Sequence, residues 1–227
     1  MRQFLFRFIC ICFVLYCAHS SGWTQSVFTI PKIEQWKAKT ITQANTVKYA
    51  GYLSYEERMV LFYTNLARLN GKLFSKTFLQ LYIDSLNLSG PELRSLQKSL
   101  RFSRKKIPLK PQKDLTQISK SKAISVGKTG KVEQAVADEN RYLKLMRKYK
   151  AVGEGSVYSY SKPLDIVIYT LLDIGNEKAT NRANMMNKYF NTIGISIKPH
   201  SSQEFVCVQS YAESKAYKQS WFKRFFY

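Results

Sequence analysis

Hydrophobic positions recur with a helical period through most of this chain and with a strand-like pattern near its end. Ser54 with Glu57 three residues later forms a capping box, and apolar residues at helical spacing over 59–69 predict a helix there. Two short apolar runs, 192–197 and 205–212, flank a turn-rich segment and predict paired strands. Helices first and paired strands late indicate an α+β fold, with helices packed on a sheet.

The same periodicity predicts the other elements of the chain. Gly127 and Gly130 are expected to end the helix predicted over 114–126. Residues 157–160 suggest one brief strand. The further helices predicted from the pattern are 33–39, 76–86, one starting at Pro91, 114–126, 133–149, 163–172 and 182–188.

The first 26 residues have the pattern of a secretory signal. Arg2 and Arg7 precede an apolar run of about nine residues over 8–16, which is shorter than a membrane-spanning helix. We therefore expect a signal peptide over 1–26, and a secreted, periplasmic or cell-envelope location. A lipid-modified Cys17 and an uncleaved anchor are the alternatives.

Cysteine usage excludes a disulfide-stapled scaffold. Three of the four cysteines lie within the predicted signal, so Cys207 alone remains after cleavage and has no partner in the chain. The apolar surroundings of Cys207 favour a buried small hydrophobe over a reactive thiol. A domain without disulfides must be held by its core, and roughly 200 residues suffice for one.

The chain is strongly basic, with 36 Lys and Arg against 15 Asp and Glu, a formal charge of +21. A stretch between Glu92 and Asp114 contains no acid, and its surface-binding candidates are Arg101, Arg104, Lys105 and Lys106. Such a patch attracts anionic surfaces. Because an exported protein seldom meets nucleic acid, an anionic envelope polymer or lipid is the expected partner. The alternative is that the charge only maintains solubility.

The tail over 214–227 interleaves aromatic and basic residues, among them Trp221, Phe222, Lys223 and Arg224. This composition is typical of a segment at a membrane interface. Peripheral membrane contact through the tail is one interpretation, and packing back onto the domain or extending a sheet edge is the other.

Several short motifs follow one another in an order that resembles the CAP superfamily of cysteine-rich secretory, antigen 5 and pathogenesis-related proteins. The resemblance covers residues 51–213 and implies a three-layer α-β-α sandwich, preceded by a lead-in over 27–50. The motifs that carry it are Asn65-Leu66-Ala67-Arg68, Leu109-Lys110-Pro111, Gly153-Glu154-Gly155, Asn181-Arg182, Ile193-Gly194-Ile195 and the run from Phe205 to Ala212.

The family resemblance also implies a cleft with two histidines and two acids that can bind a divalent metal. Glu154 matches one acid, but Asn181 stands where a histidine precedes Arg182, and Gln134 is the best match for the other histidine. Amides are poor zinc ligands, so we expect neither a metal nor a cofactor. His200 in the predicted hairpin turn is expected to be solvated or bonded to the turn.

These observations favour an exported, non-enzymatic CAP-like module that binds a lipid, an anionic envelope component or another extracellular ligand. Its cleft candidates are Glu154, Asn181, Arg182, Gln134 and His200, and no residue is assigned a catalytic role. A hydrolase that uses Glu154 with a water or a weakly bound metal is the first alternative, since general acid–base chemistry needs a positioned carboxylate. A structural or adhesion component with a vestigial cleft is the second.

Overall fold

A computed structural model describes residues 30–132 and 139–215, without the side chains of 139–142. The chain divides into a unit of residues 1–30 and a unit of residues 31–227, and every helix and strand named below belongs to the second unit. The predicted signal peptide, Gln134 and nearly all of the C-terminal tail lie outside the described residues.

Helices precede and flank a small sheet in the described residues. A 3₁₀ turn at Ile33–Gln35 opens the fold, and a π-helical turn at Ser75–Leu79 joins the third and fourth helices. The elements are α1 (Ala38–Ala44), α2 (Tyr55–Leu69), α3 (Gly71–Phe74), α4 (Gln80–Leu86), α5 (Pro91–Arg101), β1 (Lys110–Pro111), α6 (Lys113–Thr129), α7 (Glu139–Lys148), β2 (Tyr149–Tyr158), α8 (Pro163–Leu172), α9 (Thr180–Met185), β3 (Thr192–His200) and β4 (Glu204–Ser214).

The described strands form one sheet in the order β1-β3-β4-β2, in which β1 is parallel to β3 and the other pairs are antiparallel. Successive residues of β4 contact opposite layers, as the alternation of a strand requires. Gln209 donates to Thr170 of α8, whereas the Ser210 hydroxyl accepts from Ser119 of α6. Helices α6 and α7 cover one face, and α2, α8 and α9 cover the other. The predicted α+β, three-layer arrangement is confirmed.

Helix α2 begins where the capping box predicts. The Glu57 backbone N–H donates to the Ser54 hydroxyl at 3.2 Å, and the Ser54 backbone N–H donates to Glu57 Oε2 at 2.9 Å. The second oxygen of Glu57 accepts from the backbone N–H of Ile197 at 3.0 Å. One carboxylate therefore caps the helix and also joins it to β3.

Arg68 of α2 links segments that are far apart in the chain. Its guanidinium is fully buried and donates to the backbone carbonyls of Ile107, Met185, Asn187 and Phe190 at 2.6–3.1 Å. Burial lowers the pKa of Arg68 to about 10, which leaves it cationic at neutral pH. The arginine of the Asn-x-x-Arg motif thus has a structural role.

Asn65, the first residue of that motif, fixes the predicted lead-in onto the domain. Its amide nitrogen lies 3.0–3.1 Å from the carbonyls of Ala44 and Leu109 and the hydroxyl of Thr46, and Leu109 N donates to its Oδ1 at 2.7 Å. Trp36 in the same lead-in is buried. The segment over 31–50 therefore belongs to the core rather than to a linker.

The prediction that Gly127 ends a helix is wrong, because α6 continues to Thr129 and stops at Gly130. A Cβ on Gly127 would lie 2.3 Å from the carbonyl oxygen of Pro199. Glycine is present because β3 passes close to the helix, whereas Gly130 has a left-handed φ of +66° and does end it.

The prediction of a brief strand over 157–160 is also wrong, because β2 runs from Tyr149 to Tyr158. Gly153 and Gly155 weaken the local strand signal. A Cβ on these residues would lie 2.6 Å from Asn184 Oδ1 and 2.8 Å from Asn181 Oδ1, respectively. Both glycines allow α9 to pack closely on the strand.

Candidate functional site

The carboxylate of Glu154 forms an ion pair beneath the sheet. Its Oε1 lies 2.5 Å from the ammonium of Lys122 on α6, and the two side chains are only 15% and 6% exposed. Lys122 reaches this position because α6 packs over β3 and β4 on the face of the sheet to which Glu154 points. A buried ion pair of this kind must stay paired, since either partner alone is costly to bury.

The Asn181-Arg182 segment is held by Asp173. One Asp173 oxygen accepts from the backbone N–H groups of Asn181 and Arg182 at 2.7 and 3.2 Å, and the other accepts from the Asn181 amide at 2.8 Å. A carboxylate on the first N–H groups of a helix satisfies them and complements the helix dipole. Asp173 therefore fixes the start of α9, and the Asn181 side chain takes part in that cap.

Glu154 and Asn181 contact different faces of β2. The side chain of Glu154 meets α6, whereas the adjacent Gly155 faces Asn181 of α9. The link between the two sides is the Asn184 amide, which donates to the backbone carbonyl of Glu154 at 2.8 Å. Glu154 and Asn181 thus both lie at β2, but their side chains are on opposite faces of the sheet and do not converge on one point.

Arg182 lies beside a cavity of about 390 Å³ between α5 and the start of α9. Nη1 donates to Ser95 at 3.1 Å, and the buried Nε has no partner among the described residues. Burial lowers the pKa of Arg182, and the nearby Asp173 opposes that shift. Glu92, Glu177 and Asp173 line the same cavity, so its charge does not favour an anionic ligand.

His200 was expected to be either solvated or bonded to the turn; it is buried at the end of β3, with 4% of its surface exposed, and it bonds the turn. Its Nδ1 accepts from the backbone N–H of Ser202 at 3.3 Å, and Nε2 lies 3.2 Å from the Lys131 carbonyl. Its ring packs edge-on against Tyr158. These contacts connect β3 to the turn and to the end of α6.

Within the described part of the chain, the cleft candidates do not fit a divalent metal. The carboxylate of Glu154 contacts an ammonium, and the Asn181 amide contacts Asp173 on the other side of the strand. In the described ranges, no three His, Cys, Asp or Glu residues lie together in a way that could hold a metal ion.

Burial raises the pKa of the Cys207 thiol in β4, which keeps that thiol neutral.

The four surface-binding candidates lie in different surroundings. Lys105 bonds the side chain of Gln43 at 3.1 Å, and Lys106 folds back onto the Ser103 hydroxyl at 2.6 Å. Burial, together with the nearby Arg68, lowers the pKa of Lys106. Arg104 is exposed, and Arg101 faces a groove on the helical layer.

That groove has a volume of about 850 Å³ and lies between α5 and the segment formed by α3, the π-helical turn and the start of α4. We call it the basic groove. Its lining among the described residues contains five cations and no acid. The lining residues are Lys72, Ser75, Lys76, Gln80, Arg94, Gln97, Lys98, Arg101 and Phe102.

The cations of the basic groove form two rows. Arg94, Lys98 and Arg101 are spaced i, i+4 and i+7 on α5, which places them on one helix face. Lys72 and Lys76 form the facing row, four residues apart. None of the five forms an ion pair with any residue that the structure describes.

The sequence prediction included Arg101 but missed the site to which it belongs. Helical spacing on 94–101 and the lysine pair at 72 and 76 were visible signals. The sequence does not show that the two rows face each other, because that depends on how α5 packs against α3 and the π-helical turn.

Neither a family model nor a curated protein sequence matches this chain. Solved structures similar to it include venom allergen-like protein 4 of Schistosoma mansoni, with 15% identity, a TM-score of 0.46, and coverage of 72% of this chain and 92% of that one. A cysteine-rich secretory protein of Staphylococcus aureus matches with 18% identity and a TM-score of 0.39, over 54% of this chain and 38% of its own.

An outer surface protein of Borrelia burgdorferi matches with 16% identity and a TM-score of 0.39, over 63% of this chain and 90% of its own. With TM-scores below 0.5, these structures assign no role to any residue. No helix within the described residues is long and apolar enough to cross a membrane.

Proposed function

We propose that this chain is an exported, non-enzymatic binding module of CAP type that engages an anionic component of the cell envelope through its basic face. The observation that carries the proposal is the basic groove, where five exposed cations lie together with no acid among the described lining residues. In a chain of charge +21, such a surface concentrates anions by long-range attraction. Export is inferred from the signal-like pattern over residues 1–26.

The cleft candidates give less support to ligand binding. Glu154 is engaged with Lys122, and Asn181 is engaged with Asp173. Each group would have to give up a protein contact to hold a ligand, at a cost typical of breaking a buried polar pair. The basic face is therefore the better candidate for the binding surface.

Hydrolysis by Glu154 is the weaker alternative. General acid–base catalysis needs a second group in reach of the substrate and a carboxylate free to exchange a proton. The Glu154 carboxylate instead lies 2.5 Å from a buried ammonium. A folded Glu154→Gln variant that keeps its ligand binding would support the binding module, whereas loss of a measured hydrolysis would support the enzyme.

The test of the proposed function is co-sedimentation of the purified protein with phosphatidylglycerol vesicles and neutral phosphatidylcholine vesicles, with retention by inorganic polyphosphate measured in parallel. We expect binding to at least one anionic probe, weakening as salt rises, because exposed charges are screened. Equal binding to neutral vesicles, or no binding to any anionic probe at low salt, would refute the proposal.

A further inference from the structure

We infer that the basic groove is a binding site for a linear polyanion that carries repeated phosphate groups. This inference rests on the proposed function and narrows it to one site and one ligand chemistry. It predicts that the five groove cations, and not the overall charge of the protein, determine the affinity.

The spacing of the cations fits a chain-like ligand. With a rise of 1.5 Å per residue, Arg94 and Arg101 lie about 10 Å apart along α5, with Lys98 between them. Lys72 and Lys76 lie roughly 6 Å apart on the opposite wall. A polymer lying along the groove would meet cations from both walls over several successive phosphates, whereas a single phosphate would meet few of them.

The side chains suit phosphate in particular. Arg94 and Arg101 offer planar guanidinium groups, which bind phosphate oxygens in pairs. The guanidinium of Arg101 also lies over the exposed ring of Phe102, 5.5 Å from its centroid, so its orientation is supported by a cation–π contact. Gln97 adds a neutral hydrogen-bond donor to the lining, whereas the Gln80 amide already donates to Asp84 Oδ1 at 2.8 Å.

The concave shape favours a polymer over a membrane surface. The cations line the walls of an open groove of about 850 Å³, and a polymer chain can enter it and contact both rows. A bilayer presents a surface of headgroups and contacts mainly the rim. The groove cations repel one another within a Debye length of about 10 Å at 0.1 M salt. A polyanion relieves that repulsion.

The experiment measures binding of fluorescently labelled inorganic polyphosphate to the whole protein by anisotropy from 50 to 200 mM salt. With about 0.7 counterions released per contact, five contacts give a log–log salt slope of about −3.5 and weaken binding roughly 100-fold over this range. The triple variant R94Q/K98Q/R101Q should flatten the slope to about −1.4. K72Q/K76Q on the other wall should also weaken binding.

The matched control is K113Q/K120Q/K128Q, which removes the same charge from exposed positions on α6, across the sheet from the groove. It should keep a slope near that of the unaltered protein. All substituted side chains are exposed, so circular dichroism and a thermal melt should show intact folding in every variant.

Each other outcome overturns a stated part of the reasoning. Equal weakening by the groove triple and the α6 triple would show that net charge alone binds the ligand, which refutes the groove and leaves the proposed function standing. Binding to phosphatidylglycerol vesicles without binding to polyphosphate would refute the polymer and indicate a lipid surface. Binding to neither probe would refute both proposals.

Discussion

Replacing Glu154 by leucine would leave the Lys122 ammonium beneath the sheet without the carboxylate that it contacts at 2.5 Å. Removing one partner of a buried ion pair typically costs about 3–5 kcal/mol. Because Glu154 is 15% exposed, and because Lys122 and Glu154 each take part in further interactions, we expect the lower end of that range. A loss of about 3 kcal/mol lowers the melting temperature of a domain this size by roughly 6–12 °C.

The double variant K122M/E154L tests the cause of that loss. An apolar pair of similar volume carries no buried charge, and such replacements are often neutral or stabilising. We therefore expect the free energy of unfolding of the double variant to lie within about 1 kcal/mol of that of the unaltered protein. Glu213→Leu is the control, because its partner Lys150 lies 3.3 Å away and is half exposed, and a pair of that kind contributes about 0–1 kcal/mol.

Urea unfolding followed by tryptophan fluorescence gives the free energies, provided that the denaturant slope stays constant between variants. A cost below about 1 kcal/mol for E154L would refute the claim that the ammonium depends on this carboxylate. Additive losses in the double variant would refute it as well, since coupled residues deviate from additivity.

Two glycines and one carboxylate give the remaining predictions. Gly194→Ala should prevent stable folding, because its Cβ would lie 2.0 Å from the backbone carbonyl carbon of Leu115. The control Gly51→Ala places its Cβ where no atom lies within 4 Å, so it should change the free energy of unfolding by less than about 1 kcal/mol. Soluble yield and thermal melts compare the two variants, and similar losses in both would contradict the close packing at Gly194. Burial alone would raise the pKa of Asp114, but hydrogen bonds from Lys148 and Tyr149 outweigh it and lower the pKa below its usual 3.8. The stabilising contribution of Asp114 is therefore present above pH 3.8 and is lost as the pH falls through the lower pKa of the folded protein. Thermal melts of Asp114→Asn between pH 2 and 5 should therefore depend less on pH than those of the unaltered protein. An unchanged pH dependence would contradict the lowered pKa of Asp114.

Local signals identified the elements whose ends are set by nearby residues. Helix α2 starts at its capping box and α5 starts at Pro91, both as predicted, because caps and proline act within one turn of chain. The β3–β4 pair was also predicted from two apolar runs and a turn. The parallel pairing of β1 with β3 was missed, because two residues carry no pattern to detect.

Glycines were the main source of error, since a glycine in the sequence does not reveal why it is there. Gly130 ends α6 through its left-handed backbone, whereas Gly127, Gly153 and Gly155 make room for neighbouring segments. The first role is local and readable, and the second depends on contacts between segments distant in sequence. The boundaries of α6 and β2 were therefore decided by tertiary packing.

The sequence by itself determined the α+β layout and the excess of positive charge, because local periodicity suffices for the first and composition for the second. Only the tertiary structure paired Lys122 with Glu154 and placed the cation row of α5 opposite Lys72 and Lys76. Both arrangements join residues at least 18 positions apart. Such contacts depend on the direction in which each helix packs, and a local pattern contains no information on that direction.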